Sequence, residues 1–155
     1  MIKNVTWTSL QFGKYKGQTL TQIILKDPDY FYWGLGIKLF RGRQDEEAAE
    51  IARNSCCVKI PKPDPENWRI EYRLTYDDKF SGFSVIDKKS AVHPSENSKI
   101  SEYLDLTVPR RMNKYDKFGN QLMFNNFRDY YFNGEKLTRE KCDQFFIRKR
   151  NFLMS

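Results

Sequence analysis

Histidine is nearly absent from this sequence, because His93 is the single one among 155 residues. One histidine cannot supply a paired-histidine phosphoesterase site or a histidine-rich nuclease site within one chain. Cysteine is also scarce, with three residues, and Cys56 and Cys57 are adjacent. Adjacent cysteines pair poorly and lack the usual C-x₂-C reach of a zinc site. We therefore expect no disulfide framework, no metal and no cofactor, and a reducing, cytoplasmic compartment.

Long apolar runs are missing as well. No stretch approaches the roughly 20 apolar residues that a membrane-spanning helix requires, and residues 1–6 lack the apolar segment of a signal peptide. We expect no membrane partner and a protein that stays in the compartment where it is made. The sequence also lacks the G-x-x-x-x-G-K-[ST] motif and a dinucleotide-binding fingerprint, which excludes nucleotide hydrolysis by a P-loop.

Positive charge and aromatic side chains are what the sequence has in excess. The formal net charge is +7, and aromatic residues make up 15% of the chain. The charge is concentrated near the C-terminus, where residues 110–155 contain 11 basic and 5 acidic side chains. Such a field attracts a polyanion or an acidic protein surface, and aromatic rings can stack on unpaired bases. The alternative is a basic surface that serves only solubility.

One segment combines turn glycines, exposed cations and helix starts in an informative order. Phe12-Gly-Lys-Tyr-Lys-Gly17 predicts a tight, exposed, doubly cationic loop, because its two glycines permit positive φ. A first strand over residues 5–12 is expected to lead into this loop, because β-branched and aromatic residues alternate there.

Two short helices are predicted after the loop. Thr19 and Gln22 have the spacing of a capping box, which starts the first helix. Asp27 suits the N-cap of the second helix, with Pro28 as its first residue and an end near residues 34–36. The second helix carries aromatic side chains that we expect to pack the corner against the first strand, with ligand stacking as the alternative. These side chains are Tyr30, Phe31 and Trp33.

The order F-G-K-Y-K-G, then T-L, then D-P-x-Y-x-x-W resembles the exodeoxyribonuclease X-like C-terminal domain and related small stand-alone proteins. The resemblance covers about residues 11–36. It implies a small docking module that accompanies DNA exonucleases. Because that module lies outside the exonuclease catalytic core, the resemblance implies no catalytic residue in this chain.

The middle of the chain begins with a basic, flexible connection at Arg41-Gly-Arg43. An amphipathic helix is predicted from residue 45 to about residue 56, with Glu47 among the charged side chains that face water. Alternating prolines at residues 59–65 exclude a helix or a central strand and predict a stiff, extended connector. This connector is the one plausible internal boundary.

The remaining sequence predicts a mainly antiparallel sheet and a C-terminal helix. Apolar and polar residues alternate over residues 68–76, and a turn then leads to a second strand at residues 80–86. A third strand is predicted at residues 103–108. Residues 121–127 suit either a fourth strand or a helical turn. The last helix is predicted to follow Thr138 and run to about residue 152, with packed side chains at Cys142, Phe145 and Phe146.

These elements predict an α+β fold in a single compact domain over residues 1–155. Residues 1–58 form the strand-helix-helix module in this prediction, and residues 66–155 form the antiparallel sheet with the C-terminal helix. The oligomeric state stays open.

Nucleic-acid binding is the leading functional prediction, with DNA ahead of RNA. Cations supply affinity for phosphates, and neighbouring rings can stack on bases. The candidate contacts are Lys14, Tyr15, Lys16, Arg41, Arg43, Arg110, Arg111, Lys114 and Lys117, and Arg148-Lys-Arg150 forms a further basic cluster. The predicted protein is a non-enzymatic accessory of DNA processing in a bacterium or its virus.

Two other classes stay open. The first is a small protein that binds and modulates a partner protein through an aromatic surface, as virus-encoded inhibitors of host machinery do. The second is a metal-dependent nuclease, in which Asp87 and either Asp77 or Asp78 hold Mg²⁺ and Lys89 positions a water. No catalytic residue is assigned, because an acid-x-lysine triplet is common by chance.

Overall fold

Six α-helices and one three-stranded sheet form the regular structure of residues 7–90 and 98–153, the parts of the chain that this computed structural model describes. The helices are α1 (Leu20–Lys26), α2 (Pro28–Gly36), α3 (Arg43–Ser55), α4 (Val108–Met112), α5 (Lys117–Tyr131) and α6 (Arg139–Ile147). The strands are β1 (Trp68–Leu74), β2 (Phe80–Asp87) and β3 (Ser98–Ser101). Both strand pairings are antiparallel, so the predicted α+β class is confirmed. None of these described helices is long and apolar enough to cross a membrane.

The predicted corner between two short helices is confirmed. Gln22 Oε1 accepts a hydrogen bond from the backbone N of Thr19 at 3.1 Å, which is one half of a capping box. At the next helix, Asp27 is the N-cap and Pro28 is the first residue. Asp27 Oδ1 accepts a hydrogen bond from the backbone N of Tyr30 at 3.2 Å, so the second helix starts where its capping residues predict.

The strand predicted over residues 5–12 is wrong where the structure describes it, from Trp7 onward, and its first two residues lie outside the described part. The segment makes a single isolated bridge, between Ser9 and Thr19. Trp7 and Leu10 are both buried. Their spacing of three positions does not fit the two-residue period of a strand, so the alternation of residue types was misleading.

The third helix begins at Arg43, earlier than predicted, and the prediction that Glu47 faces water is wrong. Only 7% of the Glu47 surface is exposed. Its carboxylate accepts a hydrogen bond from Thr8 Oγ1 at 2.9 Å and pairs with Arg43 Nε at 3.3 Å. A buried carboxylate needs such partners in place of water. Thr8 comes from a distant part of the chain, which helical periodicity cannot reveal.

The sheet has the order β2-β1-β3, and β1 and β2 form the predicted hairpin. The strand predicted at residues 103–108 is wrong, because the third strand of the sheet lies earlier in the chain. Leu104 instead makes an isolated bridge to Val58, beside the proline connector, and Val108 begins α4. Backbone pairing with the connector therefore draws this segment away from the sheet.

The last two helices, α5 and α6, show the outcome of the predictions for residues 121–127 and for the C-terminal helix. Residues 121–127 are helical, within α5, which packs against β2. Thr138 Oγ1 accepts a hydrogen bond from the backbone N of Lys141 at 3.3 Å, which confirms the predicted cap of α6. That helix ends at Ile147 rather than near residue 152, because the chain turns back and Phe152 makes an isolated bridge.

The core is rich in aromatic rings that centre on Phe145. Its ring lies 5.2–6.3 Å, centroid to centroid, from the rings of Phe127, Tyr131, Phe132, Phe146 and Phe152. Cys142, Phe145 and Phe146 are buried, as predicted. The same core contains Trp7 and Ile23 from the N-terminal segment and Phe83 from the sheet. The two predicted sub-regions therefore share one buried cluster.

Asp143 attaches α6 to α1. Its Oδ1 accepts a hydrogen bond from Thr19 Oγ1 at 2.8 Å and another from the hydroxyl of Thr21. Both threonines are fully buried. The backbone O of Asp143 also accepts a hydrogen bond from Trp7 Nε1 at 3.1 Å. One residue thus anchors both the first helix and the segment before it.

We expect Asp143→Ala to lower the free energy of unfolding by about 2 kcal/mol, because a buried threonine hydroxyl loses its acceptor. Urea-induced unfolding measures this change. Asp129→Ala, on the exposed face of α5, is the control and should change stability by less than about 0.5 kcal/mol. Equal losses in the two variants would contradict the anchoring role of Asp143.

Candidate nucleic-acid interface

The proline connector and α6 enclose a cleft of about 800 Å³, which we call the connector cleft. The Tyr131 hydroxyl donates to the carbonyl O of Lys59 at 2.8 Å, and the Lys59 N donates to the carbonyl O of Asn151 at 2.8 Å. These bonds hold the connector against α5 and the C-terminal segment. The charged residues that line the cleft are Lys59, Lys62, Lys141, Arg148 and Arg150, with the acidic Glu140.

A second depression, the helix groove, has a volume of about 610 Å³ and lies between α1, α5 and the start of α6. Its cations are Lys26, Arg128, Lys136 and Arg139, and its amide side chains are Gln18, Gln22, Gln121 and Asn125. Among the described residues, no carboxylate lines it. Arg128 Nη2 donates to Asn125 Oδ1 at 2.9 Å. Arg139 Nη2 donates to Ser9 Oγ at 3.0 Å, and its Nε pairs with Asp143 Oδ2 at 3.6 Å.

A third depression, the loop pocket, has a volume of about 300 Å³ and lies where the glycine-bounded loop meets the first turns of α2 and α5. Its charged residues are Lys14, Lys26 and Lys117, with Asp27 and Asp29. Both carboxylates already have partners. Asp27 Oδ2 accepts a hydrogen bond from the Tyr15 hydroxyl at 2.6 Å, and Asp29 Oδ1 pairs with Arg110 Nη1 at 2.9 Å.

The three depressions adjoin one another. Lys26 and Gln121 line both the loop pocket and the helix groove, and Thr138 lines both the helix groove and the connector cleft. We call the combined surface the basic track. Cations outnumber carboxylates along it, and a concave surface lined by one sign of charge concentrates an oppositely charged ligand.

Lys14 and Lys117 are predicted contacts that the structure places on the basic track, in the loop pocket. Tyr15 lines the same pocket, but only 6% of its surface is exposed, contrary to the exposure expected for this loop. Burial, followed by the hydrogen bond to Asp27, raises the pKa of the Tyr15 phenol well above its ordinary value. The Tyr15 ring is therefore part of the core and offers no face to a base.

Arg110 and Arg111 are occupied by acidic partners. Arg110 Nη1 pairs with Asp29 at 2.9 Å, its guanidinium lies 4.7 Å from the ring centroid of Tyr32, and its side chain is 19% exposed. Arg111 Nε pairs with Asp105 Oδ2 at 3.1 Å, and this charge raises the pKa of the arginine. Both arginines lie off the basic track, and their contacts hold α4 in place.

The other four predicted contacts do not line the basic track either. Lys16, Arg41 and Lys114 are exposed, and Arg43 pairs with Glu47. Lys114 also lies 5.6 Å from the ring centroid of its neighbour Tyr115. The fold therefore separates basic residues that are close together in sequence. Lys14 lines the track but Lys16 does not, and Lys117 lines it but Lys114 does not.

Most residues that line the track were not among the contacts predicted from the sequence. Of the further basic cluster at residues 148–150, Arg148 and Arg150 reach it. On α5, Gln121, Asn125 and Arg128 recur at the four- and three-residue spacing of one helix face. That pattern was hidden because the sequence left strand and helix open for this segment.

An exposed apolar patch lies apart from the track, on the N-terminal module. The exposed fractions are 41% for Phe12, 45% for Trp33 and 54% for Ile37. Phe12 and Ile37 line a depression of about 440 Å³, which Leu39 and Arg41 also line. The expectation that Trp33 packs the helix corner is wrong, because α2 turns its other face, with the buried Phe31, toward the core.

The carboxylates of the nuclease hypothesis lie at opposite ends of β2. Asp87 ends β2 and Asp77 precedes it, so this strand of eight residues separates them by about 25 Å. Asp87 Oδ1 accepts a hydrogen bond from the backbone N of Lys89 at 2.8 Å and so caps a turn. Within residues 7–90 and 98–153, no three side chains of the metal-ligating types are grouped, and His93 lies outside these ranges.

Residues 10–35 match a family model described as exodeoxyribonuclease X-like C-terminal, which confirms the resemblance seen at residues 11–36. The match contains the glycine-bounded loop, α1 and most of α2, and it links the chain to DNA processing. A search of curated proteins finds no match, and neither does a search of solved structures.

Cys142 lines the helix groove, but we expect it to be unreactive. Burial, with a smaller effect of the Asp143 charge, raises the pKa of its thiol to about 12, so near pH 8 the thiolate fraction is on the order of 10⁻⁴. Iodoacetamide should leave Cys142 unmodified in the folded protein and modify it in urea, as peptide mass spectrometry can measure. Equal modification in both conditions would contradict this expectation.

Proposed function

We propose that the protein is a non-enzymatic nucleic-acid-binding accessory protein of DNA processing. The basic track is the observation that carries the proposal, because it consists of three concave, cation-lined depressions in which each neighbouring pair shares at least one lining residue. The phosphates of a nucleic acid strand match such a surface, since each neutralised phosphate releases condensed counterions. The exodeoxyribonuclease X-like segment supports DNA rather than RNA as the physiological polyanion.

The track has features of a binding surface rather than a solvated face. Several of its cations, including Lys26, Lys117 and Lys136, have no ion pair within the described part of the chain. Other track cations are paired, because Asp27, Asp143 and Glu135 contact Lys14, Arg139 and Lys141. Off the track, carboxylates hold Arg43, Arg110 and Arg111. Cations that lack a carboxylate partner gain most from an incoming phosphate, because no internal ion pair has to break.

The triple variant Lys26→Ala, Arg128→Ala, Lys136→Ala tests the track. We expect it to bind a single-stranded DNA oligonucleotide about tenfold more weakly or worse at low salt. The slope of log affinity against log salt should fall by about 2, because each phosphate contact on a single strand contributes about 0.7. Fluorescence anisotropy across a salt series, with Mg²⁺ present and the products checked for cleavage, measures both quantities.

The matched control is Arg53→Ala, Lys79→Ala, Lys99→Ala, which removes the same charge from exposed positions off the track. It should keep the wild-type salt slope. Equal losses in both triple variants would show a nonspecific effect of net charge and contradict the proposal. Cleavage of the oligonucleotide would contradict the non-enzymatic role.

A partner-protein role is the second candidate, and the apolar patch at Phe12, Trp33 and Ile37 supports it. Aromatic side chains on an exposed surface are typical anchors of protein interfaces. Phe12 and Trp33 lie within the segment that matches the exodeoxyribonuclease X-like family, and Ile37 lies two residues beyond its end. This surface suits a docking partner, whereas the basic track suits a polyanion.

The double variant Trp33→Ser, Ile37→Ser distinguishes nucleic-acid binding by the track from binding through the apolar patch. If nucleic-acid binding by the track is the function, we expect this variant to keep wild-type affinity for DNA and the wild-type salt slope, because neither residue lines the track. The same anisotropy titration measures this. A loss of DNA binding as large as that of the Lys26, Arg128 and Lys136 variant would place the DNA contact on the apolar patch and contradict the assignment to the track.

A further inference from the structure

Asn120 has a buried side-chain amide. The residue lies in the first turns of α5 and lines the loop pocket, and only 5% of its surface is exposed. Neither Nδ2 nor Oδ1 makes a hydrogen bond within the described part of the chain. A buried polar atom without a partner is unfavourable, because it has lost its hydrogen bonds to water. The other polar side chains that line this pocket and are buried have partners.

The other buried polar groups of the loop pocket already have partners. The Asp27 carboxylate accepts from the Tyr15 hydroxyl and from the backbone N of Tyr30, and Asp29 pairs with Arg110. The Asn120 amide is therefore the group that an incoming molecule can satisfy. It offers one donor and one acceptor side by side, and its complement must carry an acceptor beside a donor.

This requirement distinguishes between possible ligands. A phosphate group offers mainly acceptors, so it would leave Oδ1 of Asn120 unpaired and would lie near the carboxylates of Asp27 and Asp29. The edge of a nucleobase carries donors and acceptors side by side, and asparagine pairs with such edges through two hydrogen bonds. The lysines that line the pocket, Lys14 and Lys117, suit the phosphates that flank the base.

We propose that the loop pocket receives an unpaired nucleobase from a strand bound along the basic track, with Asn120 pairing to its edge. The proposal rests on the proposed nucleic-acid-binding function and adds its substrate class, single-stranded nucleic acid. A volume of about 300 Å³ is at the lower end of small-ligand pockets. Because both amide atoms of Asn120 are buried, the proposal requires that neighbouring side chains move when a base enters. Lys117 and Gln121 line the pocket and are exposed, so they are the side chains that we expect to move.

Wild-type protein alone gives the first test. We expect it to bind an oligo-dA or oligo-dC strand of about 12 nucleotides roughly tenfold more tightly than an abasic strand of the same length, and more tightly than a duplex. Failure to bind any of these strands at low salt overturns the proposed function, and this inference with it. Equal binding of the abasic and base-containing strands leaves the function standing and overturns this inference alone.

Asn120→Leu gives the second test, because leucine is nearly isosteric and has no polar atoms. We expect about a tenfold loss of affinity for the base-containing strand, no loss for the abasic strand, and a Tm equal to or above that of the wild type. Asn54→Leu, on α3 and off the track, should change neither affinity. A lowered Tm with unchanged selectivity for bases would show that Asn120 has a structural role and would overturn the proposal.

Discussion

The contact between Asp143 and two threonines, the N-cap of α1 and Thr21 within it, is the interaction on which the rest of the structure depends. It joins the first helix to the last one through buried hydroxyls, and the helix groove lies between those same helices and α5. Asp143 also pairs with Arg139 at 3.6 Å, and Arg139 lines the groove. A single carboxylate therefore holds the walls of the candidate interface together and orients one of its cations.

The distribution of carboxylates decides which cations are free to bind a ligand. Glu47, Asp29 and Asp105 hold Arg43, Arg110 and Arg111. The first pair lies within α3, the second connects α2 to α4, and the third joins α4 to the segment before it. The helix groove, in contrast, has no carboxylate among its described lining residues. Basic residues that are close together in sequence can thus form internal ion pairs that stabilise the fold. Basic residues that are far apart in sequence can line one surface.

The segment that resembles the exodeoxyribonuclease X-like domain does not form the track alone. It contributes Lys14, Lys26 and one wall of the loop pocket, while α5, the connector and the C-terminal segment supply the rest. The unpaired amide of Asn120 lies where the two parts meet. The same segment also contains Phe12 and Trp33 of the apolar patch, so the two proposed contacts use different surfaces of it.

The sequence by itself determined the features that local chemistry controls. The capped corner at Thr19 and Asp27, the hairpin of β1 and β2, and the α+β class follow from capping groups, proline and alternation, whose effects reach only a few residues. Tertiary structure alone decided that Glu47 and Tyr15 are buried, that residues 103–108 leave the sheet, and that the basic track exists. These outcomes depend on partners such as Thr8 for Glu47 and Val58 for Leu104, which lie about 40 residues or more away in sequence. Only the folded core brings such distant groups within hydrogen-bonding distance, so no local pattern records them.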